Sequence, residues 1–167
     1  MREYFSEAVV LHREPRGELD FSISLFTERY GKIVAKARSA RKITSKNSAH
    51  LLPGKVADVR IVEQRGIQVV DALSSRTILL KPFDLYFLHT ILSEWECDPE
   101  IWAMLTQNKF SWPKALQILG WAGEVNYCIQ CGEPNANIFY GKTQELYCQK
   151  CIALRGRVRP EEYITLG

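Results

Sequence analysis

The chain has 167 residues, 46% of them hydrophobic and 25% charged, with a net charge of +3 and five cysteines. That is long enough for one full core plus a small second unit, and too ordinary in composition for a disordered or fibrous protein. No run approaches the roughly 18 apolar residues of a membrane-spanning helix, and Glu3 stands where a secretory signal would begin its apolar stretch, so a cytoplasmic location is expected.

The charge is unevenly spread. Residues 1–80 hold 14 Lys and Arg against 9 Asp and Glu, whereas residues 81–167 hold 8 against 10. A positive surface confined to the first half suits a polyanion, although a solvated basic face would look the same.

The first 80 residues read as short strands between turns. Ser6 to His12 is rich in β-formers, Pro15-Arg16-Gly17 punctuates it, and Asp20 to Phe26 alternates with period two. Tyr30-Gly31 turns into Ile33 to Arg38; Pro53-Gly54 precedes Val56 to Val62; Arg65-Gly66 leads to Ile67 to Val70. Five strands with no helical pattern among them predict a small closed or nearly closed barrel.

The period then changes. Phe83, Leu85 to Leu88, Ile91, Leu92 and Trp95 recur at three-to-four spacing, which predicts an amphipathic helix ended by Asp98-Pro99. Ile101 to Leu105 predicts a second helix. Ser111-Trp112-Pro113 opens a third, with Ser111 as N-cap and Pro113 in the first turn. The change of period between Thr77 and Phe83 divides the chain into a barrel domain, 1–80, and a helical domain, 81–167.

Cys128-x-x-Cys131 and Cys148-x-x-Cys151 have the double-knuckle spacing of a zinc site. Each CxxC brings two thiolates to one ion from a tight turn, and four thiolates close a tetrahedron with no position left for substrate. The expected cofactor is therefore one structural Zn2+ that folds a hairpin over residues 125–153, with Gly132 easing its turn. Disulfides or a redox CxxC fit reduced surroundings poorly. Cys97 lies among apolar helical residues and reads as a small core residue.

Between Arg29 and Lys46 stand seven bases and no acid: Arg29, Lys32, Lys36, Arg38, Arg41, Lys42 and Lys46. Even spacing places Lys32, Lys36 and Arg38 on one strand face and Ile33, Ala35 and Ala37 on the other. Such a row can follow a phosphate backbone without reading bases. Tyr30, at a turn, is the expected stacking residue, while Phe21 and Phe26 are expected in the core. The simpler alternative is an edge strand kept soluble by lysines. His12, His50 and His89 adjoin no catalytic motif, no carboxylate pair stands out, and no enzyme is expected.

The run Asp20 to Lys32, containing Leu25-Phe26-Thr27 and closing on Gly31-Lys32, resembles the "LFTxxxGK" strand of the RecO family of bacterial recombination mediators. Ala37-Arg38-Ser39-Ala40-Arg41-Lys42 is similar to the basic segment that follows it there, and the two CxxC pairs hold the place of that family's zinc motif. The resemblance runs from about Glu7 to Cys151. It implies an α+β protein: an N-terminal five-stranded OB-fold, a helical part and a zinc-binding hairpin. It further implies binding and annealing of single- and double-stranded DNA, work with RecR in loading RecA onto strands covered by single-stranded-DNA-binding protein, and a nucleoid-associated location. Family members usually continue well past the second CxxC, so a reduced helical domain is expected, with partner docking there in question. Two alternatives stay open, a zinc-stapled protein-interaction adaptor and an RNA-binding OB protein without annealing activity.

Overall fold

The computed structural model describes residues 1–41 and 45–166. Five strands, β1 (Arg2–Arg16), β2 (Asp20–Thr27), β3 (Gly31–Ala37), β4 (Lys55–Glu63) and β5 (Ile67–Thr77), close into a barrel in the order β1-β2-β3-β5-β4, with β4 returning to β1. All pairings are antiparallel except that of β3 with β5. The expected five-stranded OB barrel is thus formed. Strand β1 is longer than Ser6 to His12 because its first half pairs with β4 and its second half with β2, with a register shift between Val10 and His12.

Period two fills the barrel. Ala8 and Val10 of β1, Ile23 and Leu25 of β2, and Ile33, Ala35 and Ala37 of β3 belong to one buried cluster with Ala57, Val59 and Ile61 of β4. Val9 and Leu11, on the opposite side of β1, are buried as well. A strand buried at four successive positions has both faces covered, and the cover on this outer face is helical. Helix α1 (Pro82–Ile91) packs along β1, and Trp102 of α2 (Pro99–Thr106) lies 6.4 Å from the ring of Phe26 on β2.

This cover explains two departures from the sequence pattern. The helical period continues to Trp95, but α1 stops at Ile91 because the chain turns onto β3, where the Trp95 amide donates to the Lys32 carbonyl at 2.9 Å. Gly31, at φ 70°, lies directly beneath the Glu96 carbonyl, where no Cβ fits. Asp98, expected to end the first helix, instead caps the second by accepting from the Glu100 and Ile101 amides at 2.9 and 3.0 Å. The chain divides into two compact units between Lys109 and Phe110. The last barrel strand ends at Thr77, and α1 and α2 fall within the first unit, their apolar faces buried on the barrel's outer surface.

The second unit, residues 110–167, contains α3 (Trp112–Ile118), β6 (Ile138–Tyr140), β7 (Glu145–Tyr147), α4 (Gln149–Leu154) and β8 (Tyr163–Thr165). Ser111 stands at the N-cap of α3 with Pro113 in its first turn, as expected, although its hydroxyl makes no capping bond. The three strands form a sheet in the order β7-β6-β8 around the buried Phe139, whose ring stacks on Trp121 at 5.2 Å. No helix among the described residues is long and apolar enough to cross a membrane.

Candidate nucleic-acid interface and metal centre

The described bases of the 29–46 run do not form one exposed row. Lys32 shares its face of β3 with Lys36, as period two requires, but α1 covers that end of the strand. Lys32 is 7% exposed and its ammonium donates to the His89 carbonyl at 3.0 Å. Burial lowers its pKa, with Glu94 opposing the shift. Lys36 is paired with Asp20 at 2.7 Å, and this ammonium, helped by the Ser39 amide, holds the Asp20 carboxyl below its usual range. Tyr30, the expected stacking residue, is partly buried, packed edge-on against Tyr4 at 5.2 Å and against the barrel core. Phe26 is fully buried, and Phe21 lies partly buried beneath the Arg13 guanidinium at 4.3 Å.

Apart from Arg29, the exposed described bases of the run lie at one end of the barrel. The parallel register Lys36↔Gln68 and Ala37↔Val69 sets the end of β3 beside the start of β5 and hence beside the β4–β5 turn. There Arg38 and Arg65 line a groove of about 300 Å³ with Val62, Gln64, Gln68 and Val70. Neither arginine has an ion-pair partner within 4 Å among the described residues. The lining offers guanidinium and amide donors, no carboxylate, and an exposed Val70. Arg41 closes the adjoining β1–β2 turn by donating to the Gly17 carbonyl at 2.8 Å. Lys46 is exposed next to Asn47, whose amide donates to the Val70 carbonyl at 3.2 Å. Lys42 lies outside the described residues.

Arg29 sits elsewhere. It follows β2, at the far end of the β2–β3 hairpin from Arg38, and lines a larger groove of about 640 Å³. Glu7, Glu28, Asp58 and Asp71 share that groove with Arg29 and Arg60. Four carboxylates against two guanidiniums make it the poorer surface for a polyanion despite its size. Sequence reasoning missed Arg65, Gln64 and Gln68. The Arg65-Gly66 turn was visible, but the parallel closure that carries it to Arg38 was not.

In the second unit the Sγ atoms of Cys128, Cys131, Cys148 and Cys151 all lie within 4.8 Å of one another, and Cys131 and Cys148 are 3.8 Å apart. Sulfurs about 2.3 Å from a tetrahedral ion stand about 3.8 Å from one another, so the set fits a divalent metal. Each half of the site has a buried cysteine, Cys128 and Cys151, and a more accessible one, Cys131 and Cys148. Gly132, at φ 73°, donates its amide to the Cys128 carbonyl at 2.8 Å and closes the first knuckle. Burial disfavours the Cys128 thiolate, but amides of Cys148, Cys131 and Gln130 outweigh it and bring the thiol down to about 6. Burial, then the three neighbouring sulfurs, push Cys151 up to about 12. Four sulfurs at these separations have the geometry to share one cation.

The sheet beside the site extends beyond the hairpin expected at 125–153, because β8 pairs with β6 and the Leu166 amide reaches the Asn137 carbonyl at 2.7 Å. Glu162, 9% exposed, receives Lys142 at 2.7 Å and Arg159 at 3.0 Å, and these cations take its carboxyl down to about 2.

The family model for the N-terminal part of recombination protein O matches residues 1–78. A DNA repair protein RecO from Cutibacterium acnes is 39% identical over 70 residues, 42% of this chain and 28% of that protein. RecO proteins from Bifidobacterium adolescentis and Thermodesulfovibrio yellowstonii are 26% and 24% identical over 159 and 174 residues, covering 78% and 89% of this chain and 65% and 70% of theirs. Measured against the Cutibacterium protein and its Nocardioides counterpart, the aligned part spans between about a quarter and two fifths of the relative.

Proposed function

We propose that the chain acts in DNA repair and recombination by binding single- and double-stranded DNA through the β3–β5 end of the barrel, because the barrel matches the family model for the N-terminal part of recombination protein O and the chain is similar to DNA repair proteins RecO. The observation that carries this reading is the groove of Arg38 and Arg65, two exposed guanidiniums without a carboxylate in their lining. Guanidiniums and amides there engage phosphates irrespective of sequence. Arg41 and Lys46 widen the positive field around it.

Such a surface anneals complementary strands by neutralising their backbones, with no catalytic group. Assisting RecA loading together with RecR and with the single-stranded-DNA-binding protein follows as the role of a mediator. The four cysteines hold one structural Zn2+, for which a closed all-sulfur site is the usual setting.

Fluorescence anisotropy of a labelled single-stranded oligonucleotide, read across a salt series, tests the reading. The parent chain binds at low salt and loses affinity steeply as salt rises. Arg38→Glu with Arg65→Glu lowers affinity and flattens the salt dependence by about 0.7 units of slope for each phosphate of a single strand no longer neutralised. No binding by the parent at low salt would instead favour the protein-interaction adaptor.

A further inference from the structure

We propose that the four-cysteine unit carries a second phosphate-binding surface, formed by Lys150, Arg155 and Arg157, so that the chain meets polyanions at two separate places. The proposal rests on the DNA-binding reading above but concerns residues that reading does not use.

From Lys150 to Arg159 the sequence holds four bases and no acid. The structure divides them by role. Arg159, like Lys142, is committed to the buried carboxylate of Glu162 and so ties β8 to the sheet. Lys150, Arg155 and Arg157 are all exposed, and none has a carboxylate within 4 Å among the described residues. The ion pairs that stabilise this unit are therefore complete without them.

Arg155 is also held in place. Its guanidinium lies over two aromatic rings, 4.7 Å from the centroid of Tyr147 on β7 and 5.2 Å from that of Tyr140 on β6. Both tyrosines are buried, at 2% and 9% exposure, so the rings form a fixed seat for an exposed cation. An arginine seated in this way has already lost much of the side-chain freedom that binding a phosphate would otherwise cost. Glu145 lies close enough to feel the charge of Arg155, but its carboxylate accepts from the Tyr147 hydroxyl at 2.7 Å. Gly156, at φ 88°, turns the chain directly after Arg155, and Arg157 follows.

An apolar neighbour lies next to the same strand. The Ile129 amide donates to the Leu146 carbonyl of β7 at 3.0 Å, and Ile129 is 60% exposed. An exposed apolar side chain on the same unit as these cations suits a nucleic-acid strand, whose phosphates take the charge while its sugars and bases can cover apolar surface.

The test compares variants of the full, metal-loaded chain by anisotropy on a single-stranded oligonucleotide, with circular dichroism and metal content checked for each. Lys150→Glu with Arg157→Glu is expected to weaken binding about tenfold at low salt and to reduce the salt slope by about 1.4, at about 0.7 for each phosphate of a single strand. Lys114→Glu, exposed on α3 of the same unit, controls for net charge against Arg157→Glu alone and is expected to leave the slope at the parent value. The pair Lys150→Gln and Arg157→Gln gives the same reading if the reversals lose structure. A slope equal to the parent's in the Lys150 and Arg157 variants, or an equal loss in Lys114→Glu, overturns the proposal. A parent that binds nothing overturns this proposal and the barrel reading together. Loss in the Lys150 and Arg157 variants but none in Arg38→Glu with Arg65→Glu overturns the barrel reading alone.

Discussion

Lys32 and Arg38 have the same charge, lie on the same strand face by parity, and perform different tasks. One is sealed under α1 with its ammonium on the His89 carbonyl, and the other stands exposed at the groove. Lys32→Met is therefore expected to leave the salt dependence of DNA binding unchanged and to move stability by no more than about 1 kcal/mol, since it removes a buried charge together with its hydrogen bond. Equal loss of DNA affinity in Lys32→Met and Arg38→Glu would restore a continuous basic row.

His89 supplies a pH dependence. Its ring stacks on His12 at 4.8 Å, its buried Nδ1 has no hydrogen-bond partner, and burial, then His12, then Lys32 bring it from 6.5 down to about 4, against a small opposing effect of Glu14. A histidine whose folded pKa lies below its unfolded one is fully stabilising above the unfolded value. That stability is lost as pH falls through the window from 6.5 towards 4. Thermal melts at fixed ionic strength should show Tm declining across this window, and His89→Gln should flatten the decline. An identical decline in the variant would exclude His89 as its source.

At the scale of elements, the five barrel strands were legible because alternation and turn residues agree along 70 residues, as in Asp20 to Phe26 and Val56 to Val62. The ends of elements were not. The helical period through Trp95 was genuine, yet α1 stops at Ile91 because the next segment pairs with Lys32, and no local pattern encodes that pairing. The convergence of the four cysteines was readable from spacing alone, because two CxxC turns of this separation are the pattern of a shared metal site. The β8 strand was hidden, since three residues pairing with β6 leave no period to detect.

Gly31 looked like an ordinary turn residue, but its role depends on Glu96, 65 positions along the chain. Gly31→Ala places a Cβ against a backbone carbonyl at a positive φ. It should destabilise the chain by more than about 2 kcal/mol in denaturant melts, a cost that a simple turn glycine would not carry.

For the molecule as a whole, the two units depend on different forces. The barrel buries a contiguous apolar cluster, whereas the second unit has a three-stranded sheet of three-residue strands and four converging thiols. Chelation of the metal should therefore unfold residues 110–167 while the barrel persists, giving two transitions by circular dichroism where the loaded protein gives one or a later second one. Cys128→Ser should reproduce the chelated profile with metal present. Retention of the sheet signal after chelation would show that Phe139, Trp121 and the Glu162 ion pairs suffice without the ion.

The pairing of β8 with β6 also bears on biosynthesis. All four sulfurs are translated by residue 151, yet the strand that completes their sheet is not made until residue 165. On the ribosome, the barrel can close while the knuckles wait, and an ion captured early would sit in a half-built sheet open to exchange. An ion held by the four cysteines would exchange less readily once Tyr163 to Thr165 are free to pair with β6, so the order of synthesis would set how early the chain could keep a metal.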